Sequence, residues 1–430
     1  MHPAYPARGT GRNLTPVTLL TPPASPMSKS AAWRMTAQEK KSSLALASIF
    51  ALRMLGLFVI LPVFAVYARE LPGGENAFLV GLTLGVYGLS QGLLQIPFGA
   101  ASDRFGRKPV IIAGLALFAL GSFIAACAGS ITGVFIGRAL QGAGAISAAV
   151  TAFISDSVRE RVITKAMAMV GASIGLTFAL SLLISPPLAR VCGIEGLFAL
   201  TGVLALIAIA VVRFVVPDAP QMIRTPASGK PWQQIALDPQ LLRLNIGIFV
   251  LHAVLTAIFV VVPTRLASMD LPTGEHWQVY LPAVIAGFCV MTPLIIVGER
   301  KNALVRVMRI MIGFLTAAFV LFAYLMHSIW EIAFLLGLFF MGFNVLEATL
   351  PSLISRMAPK SDKGLAMGIY NTTQNLGLFA GGTAGGWIAQ TWSAEAVFFA
   401  CAFAMLLWLA SAFGLKEPPC ASREPGEALN

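Results

Sequence analysis

Twelve stretches of mostly apolar residues, each 20 to 27 long, take up most of this 430-residue chain. At about 1.5 Å of rise per residue, each is long enough as a helix to cross a bilayer core of roughly 30 Å. They lie at about 44–68, 77–101, 109–128, 131–154, 163–189, 194–216, 244–267, 275–298, 304–326, 330–355, 364–390 and 393–414. The runs are continuous and do not alternate apolar with polar over ten residues, so the pattern is not that of a lipid-embedded β-barrel. It fits helices, which satisfy their own backbone inside lipid. Charged residues are 11% of the chain, against about 25% in ordinary soluble domains. The expected fold class is an all-α membrane protein.

The net charge of +11 would suit nucleic acid if it formed one patch. It follows topology instead. Of the 30 lysines and arginines, 25 lie in or beside the two tails and five alternate loops, three lie at the other loops, and Arg53 and Arg138 are inside apolar runs. By the positive-inside rule the first set faces the cytoplasm. Both termini are therefore expected there, in a bacterial inner membrane, and no nucleic-acid partner is implied. Cys127, Cys192, Cys289, Cys401 and Cys420 have no paired or metal-type spacing, so they read as packing residues with no metal site.

The expected organisation is a disordered cytoplasmic tail at 1–43, six helices in 44–216, a cytoplasmic linker at 217–243, six helices in 244–414 and a tail at 415–430. Met27 and Met35 are alternative starts to Met1. The first apolar run follows some forty polar residues and is full length, so it reads as its own insertion signal and not as a cleavable peptide. The linker holds Pro217, Pro220, Pro226 and Pro231, and its Trp232, Ile235 and Leu241 to Leu244 suit either a short helix on the membrane surface or a solvated loop. Two related halves are suggested by Ile154-Ser155 with Lys165-Ala-Met-Ala-Met and Ile354-Ser355 with Lys363-Gly-Leu-Ala-Met, about 200 residues apart at matching topological positions.

Between the second and third runs sits Gly99-Ala-Ala-Ser-Asp103-Arg104-Phe-Gly106-Arg107-Lys108. Gly106 permits a tight turn, and Asp103 at a helix end suits the free N–H groups of a neighbouring helix start. The fourth run carries Arg138-Ala-Leu-Gln141-Gly142-Ala-Gly144-Ala145. An arginine that deep costs roughly 2.5 to 3.5 kcal/mol, so it must face a partner or a cavity.

On these two stretches the chain resembles the major facilitator superfamily, and most closely the YajR-type members of its drug:proton antiporter branch, over about residues 35–419. Gly99, Asp103, Arg104, Gly106, Arg107 and Lys108 match the family's motif A, and Arg138, Gln141, Gly142 and Gly144 match its motif B. The resemblance implies twelve helices in two pseudo-symmetric six-helix bundles and transport by alternating access. It implies that Asp103 latches onto the start of the eleventh helix near Gly364, that Arg107 pairs with Asp156, and that Arg138 takes part in proton coupling. Two departures are visible: Ser181 to Arg190 keeps the proline but not the glycines of the antiporter motif in the fifth helix, and the small soluble domain of close relatives is not expected in the fifteen or so residues after the last run.

Depth counting adds a second cluster. Arg53, His252 and Glu347 each lie eight or nine residues from the cytoplasmic end of their runs, on the order of 12 Å deep, while Arg138 falls in a higher layer. Glu347 is the only acid deep inside any run, and a lone carboxylate beside an arginine suits proton binding and release. Asn344 beside it, with Phe58 and Phe343, and also Tyr67, Phe249, Phe259 and Phe339, are expected as cavity contacts.

The expected function is a secondary transporter moving amphiphilic small molecules outward against inward proton flow, with substrate and protons as partners, the bilayer as its setting, and a monomer as the working unit. A symporter or uniporter for a sugar or other metabolite is the alternative, and a non-transporting membrane sensor or scaffold a further one. No catalytic residue and no cofactor is expected: there is no Walker-type G-x-x-x-x-G-K-[ST] sequence, and the proton gradient supplies the energy.

Overall fold

The computed structural model describes residues 35–159, 162–217, 232–359 and 362–417. All of the regular structure among them is helical: α1 Ala37–Phe58, α2 Leu61–Tyr67, α3 Ala77–Phe105, α4 Arg107–Ala126, α5 Ile131–Ala143, α6 Ser147–Ser157, α7 Ile163–Phe214, α8 Trp232–Ala236, α9 Pro239–Ala267, α10 Trp277–Arg300, α11 Leu304–Tyr324, α12 Ile329–Met357, α13 Lys363–Thr391 and α14 Ala394–Ala412, with two short 3₁₀ turns.

Twelve crossings emerge once three interruptions are read correctly. α1 and α2 are one crossing, bent where Pro62 enters the first turn of α2. Val63 N–H bonds Ile60 O, so the Val59 carbonyl is left over, and the Ser185 hydroxyl of α7 donates to it. α5 and α6 are likewise one crossing, broken at 144–146. α7 is two crossings joined at Gly193, whose φ of 66° turns the chain between them. The first helix starts at Ala37, seven residues before its apolar run, because Thr36 and Glu39 close a capping box. α8 and the Asp238-capped start of α9 likewise make part of the expected linker helical.

Ten of the described helical stretches are long and apolar enough to span a membrane, counting α7 once. α13 is long enough, but Asn371, Thr372, Thr373, Gln374 and Asn375 lower its hydropathy.

The two halves meet along seams of glycine. A Cβ added to Gly81 would lie 2.0 Å from Gly382 O, at Gly85 2.7 Å from Phe379 O, at Gly88 2.4 Å from Asn375 O, and at Gly92 3.4 Å from Thr372 O. At Gly99 it would meet only Ala148 of its own half. The α3–α13 seam is thus tight at the Ala77 end, where Ala77 N–H also bonds Gln390 Oε1 at 2.7 Å, and loosens toward Phe105. The other seam behaves the same way. A Cβ added to Gly274 would lie 2.8 Å from Arg190, one at Gly175 would lie 4.0 Å from Phe288, and one at Gly171 would come within 4 Å of no described residue. The halves are closed on one side and parted on the side that carries Asp103.

Candidate functional site

The charged turn between α3 and α4 is built around Gly106, whose φ of 93° ends one helix and starts the next. That turn sets Arg107 beneath α6. Arg107 Nε donates to Asp156 Oδ2 at 2.8 Å, and its Nη1 donates to Asp103 Oδ1 and Ser102 Oγ, each at 2.6 Å. Arg107 is 10% exposed and Asp103 47%. The arginine is therefore the shielded hub, with charge-assisted bonds in three directions. Arg104 lies over the Phe105 ring at 5.3 Å, and Gly99 touches α6 at Ala148. No described residue lies within 4 Å of a Cβ built on Gly364, at the start of α13.

In the first half a second cluster surrounds Tyr87 of α3. Arg53, 1% exposed, donates from Nη2 to Gln91 Oε1 at 2.7 Å and from Nη1 to Ser147 Oγ at 3.1 Å. Ser147 is the first residue after the break in the α5–α6 crossing, so Arg53 holds that break. Arg138, 3% exposed, lies 4.8 Å from the centre of the Tyr87 ring and donates to Gln141 Oε1 at 3.0 Å. Gln141 in turn donates to Ser122 Oγ at 2.8 Å and Thr201 Oγ1 at 3.4 Å. Gly142 is needed because a Cβ there would come within 2.2 Å of Tyr87 O. Among the described residues no carboxylate stands within ion-pair distance of either guanidinium. The cations are held by neutral acceptors and by the face of an aromatic ring.

The second half holds the titratable cluster. His252 Nε2 of α9 is 3.8 Å from Glu347 Oε2 of α12 and 2.7 Å from Gln374 Nε2 of α13. Glu347 Oε2 is shielded and has no hydrogen-bond partner among the described residues. An aromatic chain links this cluster to the first half: His252 to Phe343 at 6.1 Å between ring centres, Phe343 to Phe178 at 6.3 Å, and Phe178 to Phe58 at 5.0 Å. Phe178 is on α7 and is not among the expected cavity contacts.

The structure brings His252 and Glu347 together and gathers the two arginines elsewhere. Arg53 does not join Glu347. It lies 5.9 Å from the centre of the same Tyr87 ring that Arg138 covers, so the two arginines share one cluster and not two layers. Counting along an axis ignores the reach of a long side chain and the break in the α5–α6 crossing. Asn344 turns its amide toward Gly287 of α10. Phe259 packs on Tyr280 and Phe339 on Phe319, both within the core, while Phe249 lines a cleft of about 380 Å³ between α9 and α13 beside Ala236 of α8. Gln91, Ser147 and Gln374 were not singled out because they are neutral, although a polar residue inside an apolar run is a signal in itself.

The ion pair of Arg159 with Glu39, at 2.7 Å, was not expected either. It fastens the stretch after α6 to the start of α1.

The chain matches the Major Facilitator Superfamily over residues 46–343 and again over 301–429. It is 42% identical over 393 residues to the inner membrane transport protein YajR of Escherichia coli K12, covering 91% of this chain and 86% of that protein. Multidrug resistance protein MdtH of Aeromonas hydrophila is 28% identical over 349 residues, covering 77% and 82%. The solved human organic anion transporter MFSD10 superposes with a TM-score of 0.67 at 18% identity over 88% of this chain and 100% of its own, and the POT family transporter PepTSo with 0.70 at 14% over 86% and 97%. These two structures share the fold. The chain belongs to the major facilitator superfamily: it is a multi-pass membrane transporter and not an enzyme, and its fold is the twelve-helix fold of that family.

Proposed function

We propose that this secondary transporter moves amphiphilic small molecules out of the cell in exchange for protons, from an inner membrane with both termini in the cytoplasm. The observation that carries the reading is the approach of Glu347 to His252 at the end of an aromatic path between the halves. A carboxylate and an imidazole that close can share a proton, and water reaching them from alternate sides would load and unload it. The names of two relatives agree, one an inner membrane transport protein and one a multidrug resistance protein.

In this reading the parted seams mark the cytoplasm-open state. Asp103, Arg107 and Asp156, with Gly99, Arg104, Gly106 and Lys108 shaping the turn, form the gate that closes when α3 and α13 come together. Phe58, Phe178 and Phe343 give the cargo an apolar surface. The altered sequence from Ser181 to Arg190 favours symport or uniport as the second reading.

Purified protein screened for ligands that raise its melting temperature, then reconstituted into liposomes with the best of them, tests this. Exchange predicts that an inward proton gradient accelerates outward flux. Acceleration of inward flux by that gradient supports symport, and indifference to it supports facilitation.

A further inference from the structure

The Glu347–His252 pair has a third member on a helix that also forms the seam between the halves. Gln374 Nε2 is 2.7 Å from His252 Nε2, closer than the carboxylate at 3.8 Å. An amide N–H there donates to an unprotonated Nε2, which puts the neutral ring's proton on Nδ1. A proton arriving at Nε2 turns that nitrogen into a donor. Gln374 then has to rotate its amide and present Oε1, or yield the site to Glu347 Oε2.

The neighbours of Gln374 make the rotation consequential. Asn375 O and Thr372 O, one residue after and two before, are atoms against which Gly88 and Gly92 of the other half pack. Tyr370, four residues earlier on the same face of α13, has a buried OH with no described partner. The groups around His252 are thus Glu347 from α12, Gln374 with Tyr370 behind it from α13, and the Phe343 ring. Among the described residues no lysine or arginine stands within ion-pair distance of Glu347.

We propose that Gln374 is the positioning residue that reads the protonation state of His252 and passes it to the α3–α13 seam. Its amide serves both states by rotation, so the site need not lose a hydrogen bond when the proton arrives. This rests on the proton-exchange reading above for its link to transport. Its structural part, control of the His252 tautomer, stands or falls separately.

The chain has four histidines, His2, His252, His276 and His327, so ¹⁵N-histidine spectra of the full protein are simple enough to follow one ring, assigned by its loss in His252→Asn. Wild type should show His252 with Nε2 as acceptor and the proton on Nδ1. Gln374→Met, similar in length but without hydrogen-bonding groups, should redistribute the tautomers of the neutral ring by about fivefold, the size expected of one hydrogen bond. Gln374→Glu offers only acceptors and should move the proton toward Nε2 and raise the proton occupancy of the ring, which keeps the test alive if the methionine variant folds poorly. The pH profile of gradient-driven flux should follow the spectra in both. A wild-type His252 spectrum in either folded variant overturns the proposal. A shifted spectrum with an unshifted flux profile retains Gln374 as the keeper of the tautomer and overturns its link to the seam.

Discussion

The two halves of this transporter solve the problem of charge inside a membrane in opposite ways. The first half buries Arg53 and Arg138 around Tyr87 and bonds their terminal nitrogens to Gln91, Ser147 and Gln141. Guanidinium stays charged at any physiological pH, so that cluster is a fixed field and a brace. The second half holds Glu347 and His252, the carboxylate and imidazole that the proposed exchange would load with a proton. On that reading, family motif B and proton chemistry are not in one place. Here the motif B arginine is enclosed within its own half, and the titratable groups stand across the molecule from it.

Several variants sharpen or break this contrast. The largest effect on stability should come from Arg53→Leu, which leaves the acceptors on Gln91 and Ser147 unsatisfied at a helix break. A loss of about 2–4 kcal/mol is expected from one stranded acceptor or two, seen as a lower melting temperature in detergent. Glu347→Gln should not destabilise comparably, since no bond is broken there. If it did, the second cluster too would be a brace. Next comes Arg107→Ala, which releases two carboxylates and a hydroxyl from a shielded hub. About 1–3 kcal/mol is expected, with a shift in the balance between inward- and outward-open forms visible by spin-label distances across the α3–α13 seam. The corresponding pair of the second half, Arg356 with Glu299 at 2.7 Å, is 42% and 49% exposed. Arg356→Ala should therefore cost no more than about 1 kcal/mol and leave that balance alone. Equal effects at Arg107 and Arg356 would remove the case for a gate in the first half only.

The same contrast explains what could be read from the sequence. Twelve crossings were legible because apolar length is a one-dimensional property, and the Gly106 turn because its ten residues are contiguous. The matching positions of His252 and Glu347 along their runs were legible, but not that the two face each other, because sequence spacing does not say which faces of two helices meet. Arg53 was misplaced because its guanidinium ends far from its Cα and is captured by Gln91 and Ser147, whose availability depends on a helix break. Phe178 and Gln374 were missed for a related reason: which face of a helix meets the other half is a property of packing, and in α13 the polar residues that weaken its membrane signal include Gln374, the partner of the titratable ring.

The central claim is that the proton is carried in the second half, and one measurement addresses it directly. Flux of a ligand that stabilises the wild-type protein is followed in liposomes across a range of imposed pH gradients for Glu347→Gln. The account predicts that its exchange no longer responds to the gradient, a fall of an order of magnitude or more in the driven component. Transport by Glu347→Gln that kept its full dependence on the gradient would contradict it and return the coupling role to the arginines of the first half.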